Sequence, residues 1–202
     1  MKALIIVDMQ NDFLPGGALA VQDGDVIIPL INSLQKRFDL VVATQDWHPA
    51  DHKSFASAHP GKKVFDEIIL EGMPQTLWPD HCVQATFGSA FTSLLDSKKI
   101  EAIFRKGMEK EIDSYSGFFD NGKRKSTGMG DYLKGRGITK IYVTGLAGDY
   151  CVYFTALDGL ELGFESTIIA DATRPINSDN FKNTLDNFKE KGGKVGESVD
   201  FF

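Results

Sequence analysis

Cysteine is scarce in this chain: Cys82 and Cys151 are the only two among 202 residues. A single pair cannot build the disulfide framework of a small secreted fold, so both thiols are available for chemistry. Long apolar runs are missing as well. No stretch approaches the roughly 18 apolar residues that a spanning helix needs, and Met1-Lys2 leads straight into a run over residues 3–7 that is too short for a signal-peptide core. These absences predict a cytoplasmic protein without a membrane partner. Basic residues are outnumbered, with 22 Lys and Arg against 28 Asp and Glu and a net charge of -6. Such a balance repels phosphate backbones and argues against nucleic acid as a partner. A small molecule is the better expectation, and homo-oligomer formation is compatible with this composition.

What is present has the proportions of a soluble globular chain, with 42% hydrophobic and 25% charged residues. The length suits a single domain over 1–202. The opening run over residues 2–7 is continuously apolar after Lys2 and ends on Asp8, the pattern of a strand buried on both faces of a parallel sheet. Similar runs recur over 40–45, 100–105, 140–145 and 165–171. Helical spacing is found over 25–37, 89–97, 130–136, 149–162 and 178–191, with Gly137 and Gly163 placed as stops and Ser178 as a cap. The alternation predicts an α/β fold: a doubly wound, mostly parallel sheet with helices on both faces. Such sheets bind ligands beyond the carboxyl ends of their strands, which singles out Asp8, Asp46, Lys106, residues 145–151 and Asp171.

The loop region over about 46–86 carries all four histidines and four of the seven prolines. A loop this long inside a compact domain is usually functional. Asp46 and His48 stand on alternate residues after a strand, and His81 adds a second imidazole, a set suited to one divalent ion such as zinc, iron or manganese. The same histidines would equally serve as loop residues bonded to backbone carbonyls. Cys151 follows a glycine-containing turn and opens a helical stretch, where backbone N–H groups and the helix dipole favour a thiolate and an oxyanion. Lys106, at another strand end, is the cation expected to lower the thiol's pKa, and Asp8 is a neighbouring carboxylate. An inert buried thiol is the plainer alternative for Cys151. Asp171 is expected to cap a helix.

Several ordered segments carry a resemblance: Val7-Asp-Met-Gln-Asn-Asp-Phe-Leu-Pro-Gly-Gly17, Thr44-Gln-Asp-Trp-His-Pro49, His52-Lys-Ser-Phe55, Leu77-Trp-Pro-Asp-His-Cys-Val-Gln84, Lys106-Gly107, Asp113-Ser-Tyr-Ser-Gly-Phe118 and Gly145 to Val152. Together they resemble the nicotinamidase/pyrazinamidase branch of the isochorismatase-like cysteine hydrolases. The resemblance implies a metal-dependent amidase that hydrolyses nicotinamide, and pyrazinamide too, in NAD salvage. It implies a catalytic triad of Asp8, Lys106 and Cys151, metal ligands Asp46, His48 and His81, and an oxyanion hole from the Ala147 and Cys151 amides. It also implies a cis peptide between Leu146 and Ala147, and substrate contacts from Phe13, Trp78, Tyr115, Phe118 and Ala147. His52 stays outside the ligand set. Gly148 departs from the branch, where threonine is common. Two rival readings remain: a cysteine hydrolase for another small amide, and a ligand-binding module without catalysis.

Overall fold

The computed structural model describes residues 1–201. Its centre is a six-stranded, wholly parallel sheet in the order β5-β2-β1-β6-β7-β8, with β1 at Lys2–Val7, β2 at Leu40–Asp46, β5 at Ile100–Lys106, β6 at Lys140–Leu146, β7 at Glu165–Arg174 and β8 at Lys194–Gly196. Every residue of β2, and every residue of β1 except Lys2, is shut from solvent, which is why these strands read as largely unbroken apolar runs rather than alternations. Leu4 and Ile6 face one side, where they pack with Ile28, Ile31 and Leu34 of α1 (Ile28–Leu34). Ala3, Ile5 and Val7 face the other. There they meet Met129 and Leu133 of α2 (Met129–Gly135), Ala156 of α3 (Tyr153–Glu161) and Phe188 of α4 (Ser178–Glu190). Each such fully buried aliphatic contributes about 1.5–3 kcal/mol.

The doubly wound α/β expectation is therefore met, with corrections at the level of elements. The helix expected over 89–97 does not form. Its backbone is bonded to the turn after β1 instead: Asn11 donates to the Ala90 carbonyl at 3.0 Å and Thr92 donates to that of Met9 at 3.0 Å. The helix expected over 25–37 is shorter, α1 being followed by a tight 3-10 turn at Gln35–Arg37. Gly137 and Gly163, at φ 70° and 90°, do end α2 and α3. Asn177, not Ser178, caps α4, its side chain accepting from the Asp179 amide. Asp171 accepts from the amide and hydroxyl of Ser198 and so caps the short final turn Ser198–Phe201.

The long loop region contains an unforeseen hairpin, β3 (Glu67–Leu70) and β4 (Met73–Thr76), outside the main sheet. Glu71 and Gly72 both have positive φ, 50° and 82°, as a two-residue turn of this twist requires. Arg124 holds the hairpin tip through the Glu71 carboxylate and carbonyl.

Candidate active site

In this strand order the winding reverses between β1 and β6, so the crevice expected for a ligand lies beyond the ends of those two strands. β1 stops at Val7 and the chain turns sharply at Asp8, whose φ of 49° lies in the left-handed region that Asp tolerates better than most residues. The turn leaves Asp8 wholly buried. Its Oδ1 accepts the Thr44 hydroxyl at 2.6 Å, and its Oδ2 lies 2.8 Å from Lys106 Nζ. Lys106, last in β5, donates to Asp46 Oδ1 at 2.6 Å, to the Ser114 carbonyl at 3.1 Å and to Cys151 Sγ at 3.4 Å. An ammonium has three hydrogens. Four acceptors therefore share those three, and the Asp8 Oδ2 contact at 2.8 Å is an ion pair.

Cys151 is brought to this group by an unusual turn. The Leu146–Ala147 peptide is cis, and residues Gly148–Val152 form one π-helical turn in which the Val152 amide donates to the Ala147 carbonyl at 3.0 Å. Asp149 ties the turn to the loop before α4 by accepting the amides of Ile176 and Asn177, each at 2.9 Å. A Cβ on Gly148 would lie 2.7 Å from Phe181 and 2.8 Å from Thr173. Phe181 of α4 therefore occupies the space a threonine side chain would need.

Burial opposes the charge on Asp46, but Lys106 and His48 overcome it and hold this carboxyl well below the usual carboxylate range. Burial likewise works against the Lys106 ammonium, and Asp46 with Asp8 outweighs it. For Asp8, burial prevails over Lys106 and lifts the carboxyl above its ordinary value. For Cys151, burial pushes the thiol well up despite Lys106. Lys106 does lower the thiol, as expected, but burial outweighs it, and the neighbouring carboxylates Asp8, Asp46 and Asp113 add to the rise.

Asp46 Oδ2 faces His48 Nε2 at 3.6 Å and His81 Nε2 at 3.8 Å. His48 Nδ1 donates to the Gly107 carbonyl at 2.9 Å and His81 Nδ1 to that of Pro79 at 2.8 Å, which leaves both Nε2 atoms bare and aimed inward. The backbone-bonded and metal-binding readings of these histidines are thus one arrangement. One carboxylate oxygen and two imidazole nitrogens within 4.8 Å of one another suit a divalent ion with positions left for other ligands. His52 differs. Its Nδ1 accepts from the Ser54 amide at 3.1 Å, so its Nε2 carries the hydrogen and offers no lone pair, while burial pushes its pKa down to about 4.

Cys151 of the first group and Asp46 and His81 of the second reach one cleft of about 320 Å³, counting space open to solvent, which Phe13, Trp78, Tyr115 and Ala147 also line as the sequence suggests. Leu19, Asp113, Tyr150 and Ile176 also line it and were not foreseen. Phe118, expected at the pocket, is corrected: it is buried in the helix-bearing core, stacked 6.1 Å from Phe164. Tyr150 makes an edge contact with Trp78 at 4.9 Å, and Gln75 of the hairpin donates to the Tyr115 hydroxyl at 3.0 Å.

The sequence pattern of the isochorismatase domain matches residues 2–200. The chain belongs to the isochorismatase family. Within the family its relatives fall in the nicotinamidase/pyrazinamidase branch. The nicotinamidase of Acinetobacter baylyi is 51% identical over 174 residues, 86% of this chain and 81% of that protein. A nicotinamidase/pyrazinamidase structure from Acinetobacter baumannii superposes with a TM-score of 0.97 at 44% identity, covering 100% of this chain and 98% of that one. The pyrazinamidase of Pyrococcus horikoshii, solved in complex with zinc, gives 0.80 at 38% identity and covers 97% and 98%.

Proposed function

We propose that this family member is a nicotinamidase that converts nicotinamide to nicotinate and ammonia, with Cys151 as nucleophile, and that it accepts pyrazinamide as well. The observation that carries the reading is that Cys151, backed by Lys106 and Asp8, and Asp46 with His81, backed by His48, line one small aromatic cleft. Phe13 and Trp78 offer ring faces and edges for a flat heteroaromatic substrate. A divalent ion held by Asp46, His48 and His81, zinc being the first candidate, supplies a Lewis acid for a ring nitrogen and positive charge beside the carboxylates.

Asp8, whose carboxylate lies within 4.8 Å of the Cys151 sulfur, takes the thiol proton as sulfur attacks the carboxamide carbon. Lys106 holds both partners and offsets the charge passing between them. The carbonyl electrons move to oxygen, and the Ala147 and Cys151 amides hold that oxyanion. On collapse the C–N bond breaks and Asp8 returns its proton to nitrogen, releasing ammonia. Asp8 then deprotonates a water that attacks the thioester, and the departing sulfur recovers the proton as nicotinate forms. We read this reaction as one of NAD salvage, a reading the resemblance to the branch supports.

The test is release of ammonia and nicotinate from nicotinamide by the purified protein, with Cys151→Ala and a chelator-stripped sample alongside. Turnover lost in both, with the variant retaining its metal, is the expected result. Substantial turnover by Cys151→Ala would remove the covalent route. No turnover by zinc-loaded wild type would remove nicotinamide and leave another small amide as the reading.

A further inference from the structure

Asp46 bridges the two groups: one carboxylate oxygen meets Lys106 and the other faces the two histidines. Its orientation therefore matters twice. On one side Asp46 is registered against Lys106 of β5. On the other side β1 has already ended, since its pairing with β2 stops at Ile6 and Ala43. A strand residue in that position would have a bare N–H and a bare C=O.

The Gln10 side chain fills the gap. It is fully buried, its Oε1 accepts the Asp46 amide at 2.8 Å, and its Nε2 donates to the Asp46 carbonyl at 2.8 Å and to the Ser89 carbonyl at 2.9 Å. A pair of bonds to the N–H and C=O of a single residue is what a neighbouring strand would provide. Both amide hydrogens are used, and the geometry fits a primary amide: a carboxylate would oppose two carbonyl oxygens, and an apolar side chain would leave the Asp46 N–H and C=O unpaired, while the Ser89 carbonyl would keep the Gln45 side-chain amide at 2.9 Å.

We propose that Gln10 is a positioning residue for the metal centre, a side-chain substitute for the absent strand that fixes Asp46 so that its two oxygens serve Lys106 and the ion together. This rests on the reading of Asp46, His48 and His81 as ligands, and it acts through Asp46 without touching substrate. A role confined to folding would lower the melting temperature and leave zinc affinity of the folded protein unchanged. A positioning role lowers zinc affinity itself.

Zinc affinity is therefore measured by competition with a chromophoric chelator on folded wild type, Gln10→Glu and Gln10→Met, two variants of matching length. A loss of about 10- to 100-fold in the folded variants is expected, the range found when partners that orient metal ligands are removed. Wild-type affinity in either folded variant would overturn the proposal. Should neither variant fold, amide hydrogen exchange on zinc-stripped wild type decides: slow exchange at Asp46, matching the interior amides of β2, supports a clamp formed before the ion arrives, and fast exchange overturns it. Failure of wild type to bind zinc would overturn this inference together with the ligand reading, whatever the separate nicotinamide assay gives.

Discussion

Four acceptors surround the Lys106 ammonium, and Asp8 Oδ2 is one of them at 2.8 Å. In the proposed reaction Asp8 is the base, and that role sets a pH dependence. The base works only when ionised, and burial raises its pKa above the ordinary carboxylate value. As pH falls through that raised value the acceptor is lost, so kcat/KM should decline on the acid side at a pH higher than a solvent-exposed aspartate would give. A pH–rate profile checks this, and an acid limb confined to the ordinary carboxylate range would contradict it. Gly148 gives a second prediction at this scale. Gly148→Thr should cost about 1–3 kcal/mol by overpacking against Phe181. In a Phe181→Ala background the same change should cost less, because the contacted ring is gone. Denaturant unfolding of the four proteins measures the difference, and equal costs in both backgrounds would show that the two residues do not compete for space.

At the scale of elements, the turn after β1 does more than end a strand. Besides Gln10 it carries Asp12, whose Oδ2 accepts the Cys82 amide at 2.7 Å and so anchors the residue next to His81. Gly88 makes room for that carboxylate, since a Cβ there would lie 2.0 Å from it. Asp12→Ala should remove a charged hydrogen bond worth about 1.5–3 kcal/mol. Unfolding measurements give the stability loss, and metal content after dialysis against a weak chelator should fall with it; unchanged retention would mean that the His81 loop is held by other contacts. The central strands were legible because burial on both faces leaves an unbroken apolar run, as in β2. The helix expected over 89–97 failed for a reason that local spacing does not carry. Its backbone partners, Met9 and Asn11, lie some eighty residues earlier. The β3–β4 hairpin escaped notice because it shows little apolar alternation and all its strand residues except Gln75 are exposed or partly so.

Across the whole molecule, the site draws on the ends of β1, β2, β5 and β6, and those residues were readable because each closes an apolar run or opens the loop after one. Tyr150, Asp113, Leu19 and Ile176 were not readable, since their place in the cleft depends on how long loops pack against one another. Phe118 shows the converse, a residue inside a suggestive motif whose side chain points into the core. The two sides of the sheet divide the chemistry. Asp8, Asp46, His48 and Lys106 follow β1, β2 and β5, whereas Ala147 and Cys151 follow β6. Between them β1 and β6 are paired at six consecutive positions, from Lys2 and Lys140 to Val7 and Gly145. At the last of these, Gly145 admits the Val7 carbonyl so closely that a Cβ would lie 2.2 Å from it. The protein is in this sense two half-shells joined along one seam. In the proposed reaction, slip along that seam would change the gap between sulfur and substrate, so the accuracy of the attack would be set by how firmly the seam resists shear.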